Sequence, residues 1–139
     1  CTLGYQYDWT RRRYLASERE EFPPEVGGLY QRVLEAAGVG CGEFEAQAAI
    51  VNFYTTDSTL GGHLDDAEPD LAAPLVSVSL GLPAVFLVGG PSKDTPPDPV
   101  LVRGGDAVIM SQYARRCLHG VPLILASGED PCPRGERQG

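Results

Sequence analysis

Apolar residues along this chain recur mostly at every second position, in short runs broken by glycine and proline, and a helical period holds over one stretch only. Residues 3–14 carry Tyr5, Tyr7 and Trp9 at alternate positions, followed by Arg11-Arg12-Arg13 and Tyr14, which predicts a strand or ribbon with one aromatic face. From Phe22-Pro23-Pro24 onward, Leu29, Tyr30, Val33, Leu34 and Ala37 fall at three- and four-residue steps and Gly38 closes the run. Proline at the start and glycine at the end predict one amphipathic helix, packed on the outside of a sheet, with Gly27-Gly28 weakening its first turn.

After Ala46 the period returns to two. Ala48–Tyr54 predicts a strand with Asn52 and Tyr54 on one face. Leu75–Leu80 and Ala84–Val88, joined by Gly81-Leu82-Pro83, predict consecutive strands with a short turn, Ser77 and Ser79 facing a barrel interior. Pro91 to Pro99 is predicted as a loop. Val100–Arg103 and Ala107–Ser111, flanking Gly104-Gly105-Asp106, predict a hairpin whose glycines suit positive-φ turn positions. Tyr113–Leu125 leads into the apolar run Val121-Pro122-Leu123-Ile124-Leu125. Many short strands, one N-terminal helix and Gly/Pro turns together predict a mainly β fold, a double-stranded β-helix of the jelly-roll kind. Residues 1–125 are expected to form one domain and 126–139 a polar Gly/Pro tail.

The net charge of -8 argues against a broad grip on phosphate and leaves local patches such as Arg11–Arg13 for that task. Cys1, Cys41, Cys117 and Cys132 show neither Cys-x-x-Cys pairing nor zinc spacing, which points to a reduced, intracellular chain. No stretch approaches the roughly 18 consecutive apolar residues of a membrane-spanning helix, so no membrane partner is expected. The first residue is Cys1 rather than Met, which suggests processing or a fragment.

The chain has two histidines, and His63 stands two residues before Asp65 in the glycine-led stretch Thr59-Leu60-Gly61-Gly62-His63-Leu64-Asp65. With His119, followed by Gly120, they make the ligand set of a two-His-one-carboxylate facial triad, which holds Fe(II) on one face and leaves other positions open. In an extended chain residues 63 and 65 point to the same side and reach one metal. On spacing alone, His63 reads equally well as a surface-loop histidine.

The wider stretch separates these readings. His63-Leu64-Asp65-Asp66-Ala67-Glu68-Pro69-Asp70-Leu71, the run Ala73 to Phe86, Gly89-Gly90, Gly104-Gly105-Asp106, Arg115 and His119-Gly120, with Asn52-Phe53-Tyr54 upstream, closely resemble AlkB-type dioxygenases. The opening Leu3–Trp9 is similar to the eukaryotic branch and Glu68–Gly90 to the bacterial one. The resemblance implies Fe(II) held by His63, Asp65 and His119 as metal ligands and catalytic centre, and 2-oxoglutarate bonded by Asn52 and Tyr54. It implies oxidative demethylation of N-alkylated bases in DNA or RNA, single-stranded or flipped, with release of formaldehyde, succinate and CO2. Tyr5 and Trp9 would lie near the substrate nucleotide and Lys93 near its backbone, although these rings also suit plain packing against a core. Arg115 and Arg116 are expected to solvate the edge of the loop before His119.

One element of the family's pattern is missing. The Arg-x5-Arg strand that clamps the far carboxylate of 2-oxoglutarate has no match in 126–139, where Arg134 and Arg137 are three apart. The jelly-roll is therefore expected to be incomplete at its C-terminal end. Two alternatives follow: a catalytically impaired remnant that binds metal or nucleic acid, and a 2-oxoglutarate oxygenase acting on protein or a small molecule. If the source is eukaryotic, nucleus, cytoplasm and mitochondrion all remain open as its location.

Overall fold

The computed structural model describes residues 1–40, 42 and 44–126. In chain order its elements are β1 (Thr2–Asp8), β2 (Arg13–Arg19), α1 (Pro24–Ala36), β3 (Ala48–Ile50), β4 (Leu60–His63), β5 (Leu75–Val78), β6 (Ala84–Val88), β7 (Asp98–Val102), β8 (Ala107–Met110), a short 3-10 helix (Gln112–Arg116) and β9 (His119–Ile124). All strand pairs are antiparallel. The described residues fall into two compact units, one built from Cys1–Phe53, Leu64–Val78 and Ala107–Cys117, the other from Tyr54–His63, Ser79–Asp106 and 118–126. No helix among them is long and apolar enough to cross a membrane.

In the first unit β2, β1 and β3 form a sheet in that order, and β5 pairs with β8. The expected aromatic ribbon is the β1–β2 hairpin. The Tyr7 ring meets Trp9 edge-on at 4.8 Å and its cross-strand partner Tyr14 at 5.1 Å. Its turn is set by Asp8, whose Oδ1 accepts the backbone N–H groups of Thr10 and Arg11, each at 2.9 Å. The Arg11 N–H above all holds the Asp8 carboxyl below its ordinary range. A register shift separates Tyr5 from Tyr7, so the aromatics do not share one continuous face. Gly4, at φ +74°, must be glycine, because a Cβ there would collide with the Gln47 carbonyl.

Helix α1 matches the predicted run. Pro24 opens it, and Gly38, at φ +66°, closes it with Val39 N–H donating to Leu34 O at 2.9 Å. Leu34 is fully buried, and Phe22, Val26, Leu29 and Tyr30 line a small apolar cavity with Ala48, Ala49, Val76 and Val78. The Tyr30 hydroxyl satisfies itself on the Pro74 carbonyl at 3.0 Å.

The second unit holds the sheet β4-β9-β6-β7. Its buried residues include Ala84, Phe86, Val102 and Ile124, all delivered by alternation along β6, β7 and β9. Pro99 lies inside β7 rather than in a loop, and β7 is the edge strand, where a missing N–H costs no ladder bond. Pro122 lies in central β9, at a point where Val121 and Pro122 together face Phe86. This one-residue bulge removes the need for its N–H.

Two strand pairings differ from the sequence expectation. β5 does not pair with β6, nor β7 with β8; β6 pairs with β7 and β5 with β8, in a nested order. The glycine-rich connections are turns, with Gly81 at φ +86° and Gly105 at φ +90°. They pack on each other instead of closing hairpins: Gly105 N–H donates to Ser79 O at 2.8 Å, and a Cβ on Gly104 would lie 2.8 Å from Gly81 O. The strand predicted over Ala48–Tyr54 ends at Ile50, leaving Asn52 and Tyr54 in an irregular segment rather than on one strand face.

Candidate metal centre

His63 and His119 are register partners across β4 and β9, with ring centroids 4.4 Å apart. The sequence achieves this with three glycines. Gly61 and Gly62 both face Gly120, so β4 carries an extra residue, and the bulge turns His63 back opposite His119. Gly120 has no room for a side chain, since its Cβ would lie 2.7 Å from Leu60 O and 3.2 Å from Gly62 N.

Each imidazole is held from behind. His63 Nδ1 lies 2.9 Å from the Gly61 carbonyl oxygen, which only accepts, so Nδ1 carries the proton and Nε2 keeps its lone pair for a ligand. His119 is buried, and its ring stacks on Phe86 at 5.8 Å with 16° between planes. One ligating atom from each of His63, Asp65 and His119 lies within 4.8 Å of the other two. Three donors on one face of an ion at about 2.0–2.2 Å stand roughly 3 Å from one another, so side-chain movement of no more than about 2 Å closes the set. Two nitrogens and a carboxylate oxygen on one side suit Fe(II) with open positions opposite. The donor set therefore fits the metal expected from the sequence.

The segment that carries Asp65 has no regular structure from Leu64 to Pro74, and a buried arginine holds it. Arg115, read from sequence as solvating a loop edge, is only 4% exposed. Its Nη1 donates to Asp65 O at 2.8 Å, its Nη2 to Glu68 Oε2 at 3.0 Å, and its Nε to Ala73 O at 3.2 Å. The Tyr14 hydroxyl donates to the other Glu68 oxygen at 3.4 Å; burial and the Glu68 charge push its pKa well above the ordinary tyrosine value. Arg115, Glu68, Tyr14 and Phe86 are the members to which the sequence assigned no role at the site; Arg115, Glu68 and Phe86 stand in the stretches that carry the family resemblance, but nothing in the pattern shows what they touch.

The remaining candidates are dispersed. Asn52 is exposed and Tyr54 half-buried, both beyond β3. Tyr5 is engaged by Arg19, whose guanidinium lies 4.8 Å over its ring and donates to its hydroxyl at 3.4 Å. Trp9 is 61% exposed near the ribbon turn. Lys93 is exposed on the loop before β7. A cleft of about 650 Å³ runs along Arg19–Phe22 and Glu45–Gln47 and includes none of His63, Asp65 and His119. Arg134 and Arg137, with Cys41 and Cys132, lie outside the described residues, as does all but the first residue of the expected tail. Cys1 is exposed, whereas Cys117 is buried with its Sγ 3.5 Å from Tyr113 O.

The mainly β fold and the two-His-one-carboxylate donor set are those of a non-haem iron oxygenase scaffold, and comparison with known proteins gives the family. The family described as 2OG-Fe(II) oxygenase superfamily matches residues 1–137, and the chain belongs to it. It is 44% identical over 130 residues to the DNA N(6)-methyladenine demethylase ALKBH1A of Arabidopsis thaliana, covering 93% of this chain and 38% of that protein. It is 42% identical over 135 residues to the human nucleic acid dioxygenase ALKBH1, covering 97% of this chain and 33% of that one. The chain thus spans about a third of the length of these relatives, 38% of one and 33% of the other. The solved structure of OsALKBH1 matches with a TM-score of 0.66 and 27% identity, over 89% of this chain and 65% of the other. That likeness bears out the AlkB resemblance and the jelly-roll class. Family membership implies Fe(II) and 2-oxoglutarate as the chemical partners.

Proposed function

We propose that this chain carries out Fe(II)/2-oxoglutarate-dependent oxidative demethylation of N-alkylated bases in nucleic acid. The observation that carries the reading is the bulge-enforced pairing of His63 with His119, with Asp65 two residues on, in a chain of this superfamily. His63 through Nε2, His119 and one Asp65 oxygen would hold the iron. When bound, Fe(II) with 2-oxoglutarate and O2 supplies hydroxylation of an N-methyl group, giving succinate and CO2. The resulting N-hydroxymethyl base then releases formaldehyde.

The protein's part is positioning. Phe86 stacks beside the buried His119 ring and fixes its plane. Asn52 and Tyr54 offer neutral hydrogen bonds to the co-substrate. Trp9, exposed beside the arginine run, offers a stacking face for an unpaired base, with Tyr5 and Lys93 as further nucleotide contacts. Names of relatives that act on DNA or on nucleic acid in general support the substrate class. The net charge of -8 favours a second reading, an oxygenase acting on protein or a small molecule, because phosphate attraction would be weak outside the Arg11–Arg13 patch.

The deciding experiment measures succinate and formaldehyde release with Fe(II), 2-oxoglutarate and O2, on methylated and unmethylated single-stranded DNA and RNA oligonucleotides. Formaldehyde formed only with methylated strands is expected. Succinate production indifferent to every oligonucleotide would favour the second reading.

A further inference from the structure

Arg115 is the one buried cation among the described residues with its donors spread over three acceptors on a single irregular segment. Its side chain is 2% exposed against 28% for Glu68, its anionic partner at 3.0 Å. A buried guanidinium is costly unless every donor direction is used, and an ion pair of this kind adds little net stability over an apolar replacement. What the arrangement does supply is geometry. The fork reaches a carbonyl at each end of the stretch Asp65–Ala73 and a carboxylate between them, and the first of those carbonyls belongs to the ligand residue itself.

We propose that Arg115 is a positioning residue for the metal centre: by fixing the Asp65 main chain, it sets where the Asp65 carboxylate points. The inference rests on the metal-centre reading above and extends it to a residue that touches neither metal nor substrate. Leu64–Pro74 has no ladder of its own, so Asp65 has backbone freedom that a ligand on a strand lacks. The three donations remove that freedom. Glu68 shares the task, being tied to Arg115 through one oxygen and to Tyr14 through the other. Lysine at position 115 would keep the charge but, as a compact point donor, could not span three separated acceptors.

The test uses Arg115→Lys and Glu68→Gln, with Asp65→Ala as the reference. Metal affinity is read by Mn(II) calorimetry, ligand geometry by the visible spectrum of the Co(II)-loaded protein, and folding by circular dichroism and denaturant midpoint. Arg115→Lys is expected to fold, to bind Mn(II) about 10- to 100-fold more weakly, as outer-shell losses do, and to show an altered Co(II) spectrum. Glu68→Gln should change both in the same direction by less. A purely structural arginine would lower the denaturant midpoint and leave affinity and spectrum at wild-type values, and that result overturns the proposal. Should Arg115→Lys not fold, Glu68→Gln decides on the same two readouts. Wild-type affinity in Asp65→Ala would instead overturn the ligand set itself. Loss in Asp65→Ala with no change in the other two variants overturns the positioning role alone.

Discussion

Gly120 stands in β9 where a Cβ would lie 2.7 Å from the Leu60 carbonyl oxygen of β4. Those two strands close only because that atom is missing, and closing them pairs His63 with His119. Gly120→Ala should push backbone against backbone, at a cost of about 1–3 kcal/mol, since no flexible side chain is there to yield. It should also weaken Mn(II) binding by parting the imidazoles. Denaturant unfolding and Mn(II) calorimetry check this; an alanine variant unchanged in both would show slack between the strands.

His63→Ala and Asp65→Ala should each abolish measurable Fe(II) or Mn(II) binding at micromolar protein. Two remaining donors do not hold a labile divalent ion in this geometry. His63→Ala also removes the ring that lies against His119, so circular dichroism must confirm the fold. Calorimetry giving wild-type affinity in either folded variant would remove the facial triad.

Tyr14 gives the fold an alkaline limit. Its folded pKa is raised, first by burial and then by Glu68, above the unfolded value of about 10. Below about pH 10 both states hold the proton and the contribution is complete; above it the unfolded state ionises first, so stability falls as pH rises. Tyr14→Phe should lose about 0.5–1.5 kcal/mol near pH 8 with the hydroxyl bond to Glu68, and show a shallower decline above pH 10. Denaturant midpoints across that range test it, and parallel curves for the two proteins would contradict it.

Trp9→Ala should weaken binding of a single-stranded methylated oligonucleotide by about 1–3 kcal/mol, the usual worth of a base–aromatic stack. Neutralising Arg12 and Arg13, both exposed, should instead flatten the dependence of binding on salt. Arg11 is already committed to Asp8 at 3.2 Å and should matter less. Unchanged affinity and salt slope would return the ribbon to a packing role.

Local chemistry alone determined part of this protein. Helix α1 was legible because its period, its opening proline and its closing glycine all act within a few residues of the chain. The turns at Gly81 and Gly105 were legible for the same reason, as was the candidate donor set His63, Asp65 and His119, whose selection depends on residue type and on a two-residue step. The partners of the turns were not. A glycine at positive φ reverses the chain without choosing which strand the reversed chain meets, and here the two glycine turns bind each other while β6 takes β7 and β5 takes β8. The extent of β3 was misjudged because apolar alternation continues past the last residue that finds a ladder. Arg115 shows the limit most plainly. Its neighbours in sequence suggest an exposed loop edge, yet its acceptors are 42, 47 and 50 residues away. Whether a charge is buried depends on which distant oxygens arrive to receive its donors, and only the tertiary fold brings them.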